Sequence, residues 1–149
     1  MIRPATLADA AALAQLHRAA MRGAMPTLPE LHTAEDDLRW MRNTVLATST
    51  VTVLCREDKP VAFVSSVPGW INQLHVAPGH QRQGLGRVML RHVQAKADRA
   101  VKLWTFQGNR AARAFYETHG FAAILFTDGQ ANEERTPDVL YAWRPHVGA

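Results

Sequence analysis

Val76-Ala77-Pro78-Gly79-His80-Gln81-Arg82-Gln83-Gly84-Leu85-Gly86-Arg87 is the stretch that decides the fold, because a strand-like run leads into it and an amphipathic helical pattern leaves it. Glycines at 84 and 86 let the backbone turn tightly and approach a ligand closely. The unpaired N–H groups that open the following helix then converge on one spot, which favours an anion. A dinucleotide fingerprint needs a third glycine and a later acidic residue, and a nucleoside triphosphate loop needs Gly-Lys-Ser/Thr. Neither is present, so the turn is expected to cradle the pyrophosphate of another cofactor.

Outward from the turn, Leu85, Val88, Met89, His92 and Val93 fall on one helical stripe that should pack on a sheet. Upstream, the segments 50–55 and 60–66 are β-branched runs separated by Arg56-Glu57-Asp58-Lys59, the pattern of a hairpin, and 71–76 is the next strand. Thr6 with Asp9 and Thr33 with Asp36 are helix-start signatures, opening a helix to about Arg22 and another through Leu38, Met41 and Val45. The proline-containing stretch 23–32 is then a loop between two helices, and residues 2–4 a short first strand. Downstream, 101–106 is a strand, 109–119 a helix closed by Gly120, and 121–126 and 139–143 are two more strands.

Asn109-Arg110-Ala111-Ala112-Arg113-Ala114-Phe115-Tyr116-Glu117-Thr118-His119-Gly120-Phe121 is the second informative motif. With the glycine turn it resembles the GNAT superfamily of N-acetyltransferases. The pattern Q/R-x-x-G-x-G/A falls on Gln81, Gly84 and Gly86. The pattern N-x-x-A-x-x-F-Y-x-x-x-G-F falls on Asn109, Ala112, Phe115, Tyr116, Gly120 and Phe121. The resemblance covers roughly residues 60 to 126. Thr127-Asp128-Gly129, Asn132-Glu133-Glu134, Pro137-Asp138 and Tyr141-Ala142-Trp143 are further similar to a small bacterial subgroup.

The resemblance implies an α/β (α+β) fold, with a mixed, mostly antiparallel sheet of about seven strands flanked by about four helices. It also implies acetyl-coenzyme A as cosubstrate and an amine, unidentified, as acceptor. In such proteins the strand before the glycine turn parts from the next parallel strand and the pantetheine arm lies in the gap. Carried onto this chain, the backbones of Leu74, His75 and Val76 would pair with the arm. The segment Gln81, Arg82, Gln83, Gly84, Leu85, Gly86 and Arg87 would hold the pyrophosphate. Asn109, Ala112, Phe115 and Tyr116 would line the cofactor from the second helix. Tyr116 would also be the general acid, since a phenol with a pKa near 10 can supply a proton to a departing thiolate whose own value is about 8.5.

A base for the amine is harder to find. Segment 59–97 contains no Asp or Glu, and Asn72, which cannot accept a proton, stands where related sequences often carry an acid. His75 is one candidate base. Glu133, Glu134 and Asp138 of the C-terminal loop are others, acting through water. Without a base, the expected acceptor is an amine already partly neutral, such as an α-amino group with pKa of about 7.7 to 8.0. The missing strand carboxylate also motivates a rival expectation, a noncatalytic acyl-coenzyme A binding or sensing domain.

Composition bounds these readings. At 149 residues with 47% hydrophobic and 20% charged content, the chain has the length of one domain, 1–149, able to bury a core without metal or disulfide. Cys55 is the single cysteine, so no intramolecular disulfide can form. Charges interrupt the N-terminus and no run approaches a membrane span, from which a soluble cytoplasmic protein is expected, as a monomer or homodimer. The net charge of +4 and pI near 9.8 suit an anionic cofactor. They fall short of the dense basic stripe or stacking platform of a nucleic-acid binder, so no nucleic acid partner is expected. His75, His80, His92 and His119 show no paired ligand spacing, and no metal is expected. Trp40, Trp70, Trp104 and Trp143 are expected in the core or along a groove.

Overall fold

The computed structural model describes residues 1–145. Seven strands form one sheet in the order β1-β2-β3-β4-β5-β7-β6. They are β1 Ile2–Pro4, β2 Thr50–Arg56, β3 Lys59–Val67, β4 Trp70–Val76, β5 Val101–Phe106, β6 Ala122–Phe126 and β7 Asp138–Trp143. Every pairing is antiparallel except that of β4 with β5. The expected mixed, mostly antiparallel sheet is therefore present. The β2–β3 hairpin closes through Glu57 and Asp58, both at positive φ (52° and 62°), the backbone that a two-residue turn needs to match strand twist.

The helices cover the two faces. On one lie α1 (Ala10–Ala24) and α2 (Ala34–Trp40), with Leu13, Met41, Val53 and Phe63 in the core between them and the sheet. On the other lie α4 (Leu85–Lys96) and α5 (Arg110–Thr118), over Val64, Met89, Leu90, Leu103 and Tyr141. The alternation along β2 and β3 decides which residue faces which layer. Val51, Val53 and Phe63 face α1, whereas Leu54 and Val64 face α4. Both helix-start signatures hold: the Asp9 carboxylate accepts the Thr6 N–H (2.8 Å), and Thr33 accepts the Asp36 N–H (3.1 Å).

One predicted helix is broken in detail. After Trp40 the chain widens into a π-helical turn, Met41–Val45, before one last turn, α3 (Leu46–Thr48). The wide turn seats Met41 (fully buried) and Val45 against α1, so core packing overrides the regular 3.6-residue repeat there.

Candidate functional site

The site begins where β4 and β5 separate. Each is six or seven residues long, yet they share a single register pair, Trp70 with Lys102. Past that pair the strands diverge, leaving ladder groups of both strands without a partner strand, an arrangement that costs energy unless something fills the gap. A cavity of about 580 Å³ occupies the opening. Residues 71–75 of β4 and 103–106 of β5 form its walls, α1 contributes His17 and Met21, and α5 contributes Ala112 and Tyr116.

At the end of β4 the glycine turn leads into α4. Gly84 is its N-cap, in the left-handed region at φ 77°, and the first helical bond runs from the Val88 N–H to the Gly84 carbonyl (3.1 Å). The N–H groups of Leu85, Gly86 and Arg87 therefore have no intrahelical acceptor, and the helix dipole adds to their pull on an anion. Arg82 also takes positive φ, 62°, a conformation a non-glycine residue enters at a cost. Gly84 has open space around it. Gly86 does not: a Cβ there would lie 3.4 Å from Phe115 and 3.8 Å from Val76. Gly86 thus lets α4 pack close to α5 as well as opening the helix, and Gly84 is the cleaner position for testing the turn alone.

Tyr116 projects from α5 into the cavity. It is 8% exposed, and its hydroxyl has no hydrogen-bond partner among the described residues. Burial raises its pKa well above 10, since nothing nearby stabilises a phenolate. Asn109 caps α5 by accepting the Ala112 N–H (3.1 Å), which holds the helix start at the cavity wall.

His75 lies on the opposite side of the gap, half-buried against α1. Its ring meets that of His17 edge-on at 4.8 Å, and its Nε2 is 2.8 Å from the Gln73 side-chain oxygen. With the amide so oriented, Nε2–H donates and Nδ1 is left as the acceptor. Burial, and secondarily the neighbouring His17, pull the His75 pKa down to about 3. His17 is lowered in the same way by burial, and its Nδ1 is enclosed without a partner. His75 is accordingly a neutral hydrogen-bonding group here and a weak base.

The far wall comes from the β6–β7 loop, 127–137. Asn132 Nδ2 donates to the Thr136 carbonyl (2.7 Å) and to Asp138 (3.2 Å), and the Thr127 hydroxyl donates to the other Asp138 oxygen. Gly129 stands so close to Thr136 that a Cβ would fall 2.2 Å from its backbone. The loop is therefore rigidly folded, and it brings Thr127, Ala131, Asn132, Glu134 and Asp138 to the cavity. The α1–α2 loop meets it through His32 and Glu133 (3.0 Å) and packs Met25 against Gly108.

Of the residues expected at the site, Leu74, His75, Asn109, Ala112 and Tyr116 line this cavity. Val76 and Phe115 back it from the adjoining core. Gln81, Arg82, Gln83, Gly84, Leu85, Gly86 and Arg87 lie outside its lining, in the neighbouring turn, where Gln81 donates to the Val76 carbonyl (3.2 Å) and Arg56 donates to Gln83. Trp104 is a cavity wall at 45% exposure, the groove-lining alternative rather than core. His17, Met21, Thr127 and Asn132 are additions that sequence reasoning missed. Of the three acids of this loop expected as candidate bases, Glu134 and Asp138 line the cavity and Glu133 does not. No group of three metal-ligating side chains occurs among the described residues, and no helix there is long and apolar enough to cross a membrane.

Sequence comparison agrees with this geometry. A model of the acetyltransferase (GNAT) family matches residues 11–121, and the chain belongs to that family. The uncharacterized N-acetyltransferase YafP of Escherichia coli (strain K12) is 29% identical over 89 residues, 60% of this chain and 55% of that protein. The peptidyl-lysine N-acetyltransferase YiaC of the same organism is 27% identical over 109 residues, 72% of this chain and 73% of that one. The chain thus spans little more than half the length of the first of these relatives. The fold is shared with the PaiA N-acetyltransferase of Thermoplasma acidophilum, solved in complex with coenzyme A. The two superpose with a TM-score of 0.76 at 15% identity, over 97% of this chain and 98% of that one.

Proposed function

We propose that the protein is an acetyl-coenzyme A dependent N-acetyltransferase whose single domain binds donor and amine together and transfers the acetyl group directly. The observation that carries this reading is the opened β4–β5 gap, lined by Tyr116, whose hydroxyl has no protein partner among the described residues, with free helix N–H groups beside it. The gap-facing backbone of Leu74 and the N–H of Val76 suit the amide groups of a pantetheine arm, whereas the backbone of His75 turns toward Phe63 of β3 and the Val76 carbonyl already accepts from Gln81. The turn from Gln81 to Arg87 suits a pyrophosphate, and Asn109, Ala112 and Phe115 support the arm's far side. Family membership and the coenzyme A found in the PaiA structure support the same assignment.

Acetyl-coenzyme A supplies an acyl carbon activated as a thioester. This chain's residues position, desolvate and move protons. Because burial raises the Tyr116 pKa, the phenol keeps its proton at every working pH. Giving that proton to a thiolate with an ordinary value of about 8.5 is uphill by itself. It becomes favourable when the same oxygen takes a proton from the newly acylated nitrogen, so Tyr116 acts as a relay. His75, neutral and with an open nitrogen, accepts a hydrogen bond and orients rather than titrates. The acceptor is either an amine of low pKa, as the acid-free segment 59–97 suggests, or one whose proton goes to a carboxylate of 127–138, where Glu134 and Asp138 line the cavity.

The rival, a binding domain without turnover, is separated by one experiment. Thiol release from acetyl-coenzyme A is followed with a panel of free amines and amine-bearing peptides. Release that depends on both components is expected. Tight acetyl-coenzyme A binding with no release on any amine would overturn the enzymatic reading.

A further inference from the structure

The acceptor end of the cavity has an unusual electrostatic character for this chain. The protein carries a net charge of +4, yet none of the cavity's lining residues is a lysine or arginine. Its formally charged members are Glu134 and Asp138. Asp138 is committed to holding the loop together, accepting from Thr127 with one oxygen and from Asn132 with the other. Glu133 faces away, toward His32. Glu134 differs from both: it is half-buried, lines the cavity, and its carboxylate has no hydrogen bond or ion pair among the described residues. Across the same cavity stand the unpartnered Tyr116 hydroxyl and His75, while Met21, Trp104 and Phe106 add apolar wall.

A carboxylate that lines a cavity without lysine or arginine, and that has no ion-pair partner of its own, is suited to pair with a ligand that brings the positive charge. We propose that Glu134 is the residue that receives the acceptor as an alkylammonium ion and takes its proton, so that the enzyme selects basic, positively charged amines. The proposal rests on the acetyltransferase reading of the cavity. The cation pairs with Glu134 while its carbon chain lies along Met21, Trp104 and Phe106. Entry of acetyl-coenzyme A displaces water from around the pair, and the proton passes along the ammonium–carboxylate hydrogen bond to Glu134.

The protons and bonds balance. One proton leaves the ammonium nitrogen for a Glu134 carboxylate oxygen. The freed lone pair forms the C–N bond as the C–S bond breaks, and the sulfur takes the Tyr116 hydroxyl proton. The nitrogen's second proton goes to the Tyr116 oxygen, its third stays on the amide, and Glu134 returns its proton to water. An alkylammonium can come from a free amine or from a lysyl side chain, and the two sources share this chemistry.

The test compares the wild-type protein with Glu134→Gln, which keeps side-chain size and removes the charge. With coenzyme A bound, titration calorimetry measures n-butylamine against n-butanol. Wild type should prefer the cation by about tenfold or more, and Glu134→Gln should lose that preference. In turnover, Glu134→Gln should lower kcat/KM at least about 10²-fold for n-butylamine or a lysine-bearing peptide, whichever is the substrate. The loss should be several times smaller for a matched amine of pKa about 8, which is already partly neutral. Equal binding of butylamine and butanol to wild type, or a cation preference that survives Glu134→Gln, would overturn the proposal. So would equal losses on the two amines. An absence of thiol release from wild type would instead count against the acetyltransferase reading, while the calorimetric arm still decides the role of Glu134 in binding.

Discussion

Tyr116 and Tyr141 stand side by side, with ring centroids 6.3 Å apart, both buried and both with pKa values raised by burial. Their hydroxyls meet opposite conditions. That of Tyr141 is clamped on the flank of α5, accepting from Arg113 Nε (3.0 Å) and donating to Glu117, two residues one helical turn apart. That of Tyr116 opens into the β4–β5 cavity with no partner among the described residues. A buried polar group normally finds a partner. The Tyr141 hydroxyl is therefore tied into the scaffold, whereas that of Tyr116, open to the cavity, is free to meet a ligand, as the proposed function requires. Composition and burial do not distinguish the two; only the hydrogen-bond inventory does.

The largest expected effect tests the cavity side of that contrast. Tyr116→Phe keeps the ring packing against Phe115 and Phe121 and removes only the hydroxyl. Turnover should fall by about 10²- to 10⁴-fold, with the acetyl-coenzyme A induced rise in melting temperature retained. Because no hydrogen bond is lost, urea denaturation should show stability unchanged within about 0.5 kcal/mol. Activity within a few-fold of wild type would make Tyr116 scaffold like its neighbour.

A second test probes the turn beside the cavity. Gly84→Val forces a β-branched residue to φ 77°, at a cost of roughly 1–3 kcal/mol, and should abolish the ligand-induced melting shift. Gly79→Ala, in the same loop with open space and without positive φ, should leave the shift intact. Equal shifts in both variants would remove the turn from the pyrophosphate site.

Tyr141→Phe carries the scaffold side. Stability should fall by about 1–2 kcal/mol in urea denaturation, since Arg113 and Glu117 lose their shared partner. Turnover at saturating substrate should stay within a few-fold. A larger loss of activity than of stability would mean that the clamp tunes Tyr116.

The smallest expected effect concerns acid. In the folded protein His75 stays neutral until pH falls to about 3, whereas an unfolded imidazole protonates near 6.5. The unfolded state therefore binds more protons in between, and stability drops as pH falls from about 6.5 toward 3. His17, lowered by burial, contributes with the same sign. His75→Gln should flatten the slope of stability between pH 6.5 and 5 by on the order of 1 kcal/mol, the partial opening of the cavity to water moderating the full linkage value. An unchanged slope would mean that His75 is hydrated and able to titrate near neutrality.

Much of the scaffold was legible because it is written in local rules. The β-branched runs at 50–55 and 60–66 marked the hairpin, Thr6 and Thr33 marked helix starts, and Gly84 with Gly86 marked the turn before α4. Asn109, Ala112 and Tyr116 of the Asn109–Phe121 motif line the cavity together, since they share one face of α5. The π-helical turn at Met41–Val45 was not legible, since core packing against α1, and not the residues' own preference, selects it.

The acceptor end depended most on tertiary structure. His17, Met21, Trp104 and Glu134 lie on α1, β5 and the β6–β7 loop, up to 117 positions apart in the chain, and no sequence period links them. The sequence by itself determined most strands, the helix starts and the glycine turn, because these are decided by neighbours along the chain, while Tyr116 was singled out by the resemblance its motif carries. The tertiary structure decided that β4 and β5 part after one register pair, and that Glu134 of a distant loop lines the resulting cavity. Strand separation and the juxtaposition of remote side chains are outcomes of packing two helical layers on one twisted sheet, which no local pattern encodes.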